Sequence, residues 1–132
     1  MNIFEEVKHL RLPLGTYVVV GSGPLAARGL RAFRDIDLVV TEEVLQQLLA
    51  DGWEQTVGHQ DRPRATKGIF EAYRDLKHET YQPETERLIR EADVIEGIPF
   101  IKLEELMTFK RAVGREKDLA DIQLIETYLA TH

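Results

Sequence analysis

The chain has 132 residues, 17 basic and 23 acidic side chains, a formal net charge of −6, and 43% hydrophobic against 30% charged residues. That length supports one hydrophobic core, and the balance is that of a globular protein. The absence of Cys excludes disulfides, thiolate metal sites and a cysteine nucleophile, and the acidic charge excludes a broad duplex-binding surface, which needs clustered Lys and Arg. No apolar run approaches the ~20 residues of a membrane helix, and the first residues lack a signal-peptide pattern, so no membrane association and a cytoplasmic location are expected.

Apolar positions at Ile3, Val7 and Leu10 predict a short amphipathic helix ended near Pro13. Tyr17–Val20 is β-branched and predicts a buried strand. Pro24 suits the first turn of a helix running to about Ala32, because its missing N–H costs nothing there. Asp35 to Val40 predicts a second strand, and Thr41 caps a helix over Glu42–Ala50 that Asp51-Gly52 stops. The stretches "GWEQTVG" and "GIFEAYRDL" predict two strands around a polar loop, "HQDRPRATK". Pro83 opens a charged helix to about Ala92, and "DVIEGIPFI" predicts a strand pair turning at Glu96-Gly97. Helices over 103–113 and 116–130, broken at Gly114, close the chain. The expectation is a single domain over 1–132 of the α/β (α+β) class, a mixed β-sheet with helices packed mainly on one face.

Residues 18–40, "VVVGSGPLAARGLRAFRDIDLVV", admit two readings. From Gly21 the run is a G-x-G-x-x-A fingerprint, but a dinucleotide site needs a full helix and an acid at the end of the next strand. Here the aspartates open that strand instead. In the second reading Asp35 and Asp37 share one strand face, by the period of two. Two such carboxylates are costly unless a cation neutralises them, and Mg²⁺ seeks oxygen ligands. The alternative is that they pair with Arg31 and Arg34. Gly21-Ser22 ahead of a helix offers backbone N–H groups and a hydroxyl to phosphate oxygens, or else Ser22 is simply a helix cap.

Gly21-Ser22 followed by Asp35-Ile36-Asp37-Leu38, with the closing "IPFIKLEELMTFKRAVGREKDLADIQLIETYL", resembles the DNA polymerase beta-type nucleotidyltransferase superfamily. The likeness is to small bacterial stand-alone members, including nucleotidyltransferase-like partners in toxin–antitoxin pairs. It implies two Mg²⁺ ions and a nucleoside triphosphate donor such as ATP, with transfer of a nucleoside monophosphate to a hydroxyl of a protein, RNA or small molecule. Asp35 and Asp37 would ligate metal, and Gly21, Ser22, Arg31 and Lys110 would contact the nucleotide. The family's third carboxylate falls to Glu71, to Asp75, or to neither. The rival implication is an antitoxin-like module that binds a partner protein with little catalysis.

Lys110 lies inside the apolar stripe of Leu103, Leu106, Met107 and Val113. The last helix buries Ile122, Ile125 and Leu129, with Asp118 continuing that face and Asp121 at its edge. Inward lysine and aspartates must pair with each other or with a ligand. Lys117 and Asp121 also have i,i+4 spacing. Arg62, Arg64 and Lys67 form a basic loop that is either solvated or turned toward the phosphates. His9, His59, His78 and His132 show no metal-binding spacing, and Trp53 is expected in the core.

Overall fold

Alternation along the central strands decides how this chain layers. In β1 (Tyr17–Val20), Tyr17 and Val19 enter one apolar cluster while Val18 and Val20 enter another, and all four are buried. This is the pattern of a strand covered on both faces. The computed structural model describes residues 2–58 and 61–132; His59, the start of the expected polar loop, therefore lies outside the described residues.

Ahead of β1 lies α1 (Ile3–Lys8), capped by the Asn2 carboxamide oxygen, which accepts from the Glu5 N–H at 2.9 Å. After it come α2 (Gly23–Ala26), β2 (Ile36–Val40) and α3 (Glu42–Ala50), the last with Thr41 as its N-cap. A meander follows: β3 (Glu54–Val57), β4 (Pro63–Lys67) and β5 (Phe70–Tyr73). Then α4 (Thr85–Arg90), the hairpin β6 (Asp93–Ile95) and β7 (Ile98–Phe100), and the helical pair α5 (Leu103–Val113) and α6 (Glu116–Thr131) complete the chain. One seven-stranded sheet runs in the order β3–β4–β5–β2–β1–β7–β6. Its β2–β5 and β1–β7 pairs are parallel and the others antiparallel. The mixed sheet with helices is the expected class. The larger helical mass, α4 with α5 and α6, adds Leu88, Ile89, Leu103, Leu106 and Ile125 to the Val18 face. The opposite face is covered by Ile3 and Val7 of α1 and by Val44, Leu45 and Leu48 of α3, with Trp53 tilted against Phe70.

Three local expectations are corrected. The helix after Pro24 does not reach Ala32: Gly29 turns left-handed at φ +72°, and the Leu30 N–H bonds back to the Leu25 carbonyl at 2.9 Å, closing it after one turn. Residues 63–67 are a strand, not part of a loop. Pro63 sits at its first position, where a missing donor is tolerated, and Ala65 is fully buried between the polar Arg64 and Thr66. In α6 Leu129 is 37% exposed, because the last buried position has passed to the half-buried Tyr128. No helix among the described residues is long and apolar enough to cross a membrane.

Phe100 joins α1 to the sheet: it is fully buried and meets Phe4 edge-on at 5.8 Å. Phe100→Ala is expected to cost about 3–5 kcal/mol in urea unfolding, the usual range for emptying such a site.

Candidate functional site

Above the Val18 face a cleft of about 460 Å³ opens between the sheet and α5–α6, a size suited to a small ligand. Its floor comes from two adjacent strand ends. β1 runs into Gly21, whose φ of +66° favours glycine, and a Cβ there would stand 2.5 Å from Asp37 Oδ2. Asp37 lies opposite Val20 in the antiparallel pair and beside Glu71 in the parallel one. Local chemistry therefore explains Gly21 twice, by backbone and by close approach. Ser22 occupies the N-cap position of α2 but makes no side-chain capping bond, and it lines the cleft.

The Asp37 carboxyl is pushed up to about 8, first by burial, then by a hydrogen bond with Glu71 and by the charges of Glu71 and Asp35. The Arg64 charge opposes these effects. Asp37 Oδ1 is buried with no hydrogen-bond partner. Asp35 stands just before β2, exposed at the cleft, so the pair does not share a strand as expected. Nor do the aspartates pair with Arg31 or Arg34: Arg31 bonds Asp121, and Arg34 lines the cleft with no ion pair among the described residues. Of the two third-acid candidates, Glu71 lines the cleft. Asp75 instead salt-bridges Arg62 and Lys77.

The opposite wall carries a buried charge network. Lys110, on the apolar stripe of α5, places Nζ 2.9 Å from Asp121 and 3.6 Å from Asp118. Arg31 Nη1 lies 2.8 Å from each Asp121 oxygen, so Asp121 is buried and doubly paired and is not a surface partner of Lys117. Burial alone would raise the Asp118 pKa, but its hydrogen bonds with Arg115 and the charges of Lys110 and Arg115 hold it below the usual carboxylate value. Asp118 also accepts from the Arg115 backbone N–H at 3.1 Å, tying the network to the start of α6.

Of the basic residues expected in a loop, Arg62 and Arg64 line the cleft and Lys67, at the end of β4, does not. Arg62 lies over the Tyr73 ring at 4.7 Å, and Arg64 bonds Glu71. Sequence reading missed Tyr73, Phe109, Arg115 and Lys117 as lining residues; for Tyr73 the signal was its place two residues after Glu71 on the same strand face. Seven basic side chains line the cleft against four acidic ones, a local positive field in an acidic chain that favours an anionic ligand. A smaller cavity of about 100 Å³ lies between α4 and α5, lined by Arg87 and Glu105, away from these acids.

Two structures of the antibiotic-resistance factor ANT(2'')-Ia resemble this fold. The solution structure aligns with a TM-score of 0.56 and 18% identity, covering 96% of this chain and 80% of the other. The crystal structure, in complex with adenylyl-2''-tobramycin, gives 0.52 and 17%, covering 97% and 86%. No family model and no curated protein matches the chain. The architecture is thus nucleotidyltransferase-like.

Because its folded pKa is raised, Asp37 binds its proton more tightly in the native than in the unfolded chain. Stability is therefore expected to fall as pH rises from about 4 to about 8, by at most about 1.4 kcal/mol per unit. Urea unfolding with a chelator present should show this slope in the parent and a flatter profile in Asp37→Asn. The second network predicts a coupling. Because Arg31 still pairs Asp121 and Arg115 still pairs Asp118, Lys110→Met should cost less than the about 3–5 kcal/mol of a fully stranded buried charge, and its effect should be non-additive with that of Asp121→Leu; additive losses would make the pair energetically independent.

Proposed function

We propose that the chain is a nucleotidyltransferase that moves a nucleoside monophosphate from a nucleoside triphosphate to a hydroxyl group. The observation carrying this reading is Asp37: a half-buried carboxyl beside a second one, with one buried and unpartnered oxygen, on the floor of a basic cleft. Burial and a neighbouring carboxyl disfavour the ionised form of such a group, and a bound cation would favour it. The carboxylates of Asp37 and Asp35 offer only oxygen donors there and suit a hard divalent ion such as Mg²⁺. Such an ion, when bound, supplies charge stabilisation at the transferring phosphoryl group.

The chain's own residues do the rest. Gly21 and Ser22 present the turn to phosphate oxygens, with Arg31, Arg34 and Lys117 adding charge around it. The acceptor oxygen bonds the α-phosphorus, the bond to the bridging oxygen breaks, and pyrophosphate leaves. The acceptor's proton passes to the Asp37–Glu71 pair. Lys110 serves the wall of the cleft through its two aspartates rather than the phosphates. The adenylyl group in the ANT(2'')-Ia complex makes ATP the first nucleotide to test, while the predominantly basic lining disfavours a polycationic acceptor.

Mg²⁺ with a saturating triphosphate should raise the melting temperature, a ligand at 100 times its Kd adding about 2.7 kcal/mol. Asp37→Asn should abolish that shift and lower transfer of labelled nucleotide to an acceptor in lysate at least ~100-fold. Asp75→Asn should change neither. An unchanged shift in Asp37→Asn would remove the reading, and nucleotide binding without transfer in the parent would assign the fold to partner binding.

A further inference from the structure

Arg64 is gripped more firmly than a basic residue in a solvated strand needs to be. It stands on β4 opposite Tyr73 of β5. Its Nε donates to Thr56 Oγ1 on β3 at 3.0 Å, and its Nη1 donates to Glu71 and, at 3.0 Å, to the Tyr73 hydroxyl. Gly58 leaves room for this arrangement: a Cβ there would stand 2.6 Å from the Tyr73 hydroxyl and 2.9 Å from Arg64 Cδ. Three neighbouring strands thus fix one guanidinium, whose planar fork loses little freedom in being fixed.

The fixed charge divides the acids of the cleft into two kinds. Glu71 has a cation of its own, whereas Asp37 Oδ1, buried beside it, has no partner. Asp35, the remaining cleft acid on this side, is exposed and pairs with no base among the described residues. Nor are any three His, Asp or Glu side chains among the described residues grouped to hold a metal ion. Two divalent ions on Asp35, Asp37 and Glu71 would require Arg64 to leave Glu71, or three positive centres to crowd around three carboxylates.

We propose that the Arg64 guanidinium takes the place on Glu71 that a second divalent ion would need, so that the cleft accepts one divalent cation, on Asp37 and Asp35, and uses Arg64 as its second positive charge. This rests on the nucleotidyl-transfer reading and replaces its two-ion expectation with a one-ion site. Arg64 is then a positioning residue for Glu71: it holds that carboxylate turned from the ion while Asp37 takes the metal.

Counting Mn²⁺ tests this without turnover. Each protein is given one equivalent of the α,β-methylene analogue of whichever triphosphate produces the larger thermal shift, and bound Mn²⁺ is titrated by electron paramagnetic resonance. The parent should bind one Mn²⁺ per chain, and Arg64→Gln should bind two, because Glu71 is released. Thr56→Val with Tyr73→Phe, which loosens Arg64 without touching a carboxylate, should let a second Mn²⁺ enter at higher concentration and guards against misfolding of Arg64→Gln. Two Mn²⁺ ions in the parent overturn the inference, as does one in every variant. No Mn²⁺ in the parent, with analogue bound or not, overturns the nucleotidyl-transfer reading itself.

Discussion

A carboxylate can be buried only if something answers its charge, and this protein meets that constraint in two opposite ways on facing walls of one cleft. On the helical wall, Asp118 and Asp121 receive Lys110, Arg31 and Arg115, so the charges are balanced and the hydrogen bonds accounted for. On the sheet wall, Asp37 lies beside another carboxyl, is forced toward its neutral form, and keeps a buried oxygen without a partner. The first arrangement holds α5, α6 and the segment after α2 together. The second leaves an electrostatic deficit that a ligand relieves, and such deficits mark sites of function more often than of structure.

The backbone is arranged so that this deficit can exist. Gly21 brings the end of β1 against Asp37, where any side chain would collide with the carboxylate. The parallel β2–β5 pair then places Glu71 beside Asp37 rather than one residue away; a one-residue slip would turn Glu71 into the other core. The meander of β3, β4 and β5 delivers Arg64 across the strands to the same point. Four strands therefore converge on a few atoms, while the apolar clusters on both faces make the sheet stiff enough to hold them there.

Charge also sorts the cleft's basic residues by task. Lys110 is committed to Asp121 and Asp118, and Arg64 to Glu71. Arg34 and Lys117 line the same space with no ion pair among the described residues. The committed cations shape the walls, and the uncommitted ones give the cleft its attraction for an anion.

Much of this was legible in the chain itself. Tyr17–Val20, the Thr41-capped helix, the turn at Glu96-Gly97 and the inward course of Lys110 follow from local periodicity and capping, which depend on residues only a few positions apart. Gly21 and Asp37 were readable as candidates for the same reason: a glycine before a helix and an acid on a strand carry their own signature. The strand at 63–67 was not readable, because Pro63 and its charged neighbours oppose a strand locally and only pairing on both edges stabilises it. Whether Glu71 or Asp75 enters the cleft, whether Arg31 meets Asp37 or Asp121, and that Arg64 reaches Glu71 are questions of register and of side chains seven to ninety residues apart. No local pattern encodes such distances; the packing of the sheet against α5 and α6 decided them.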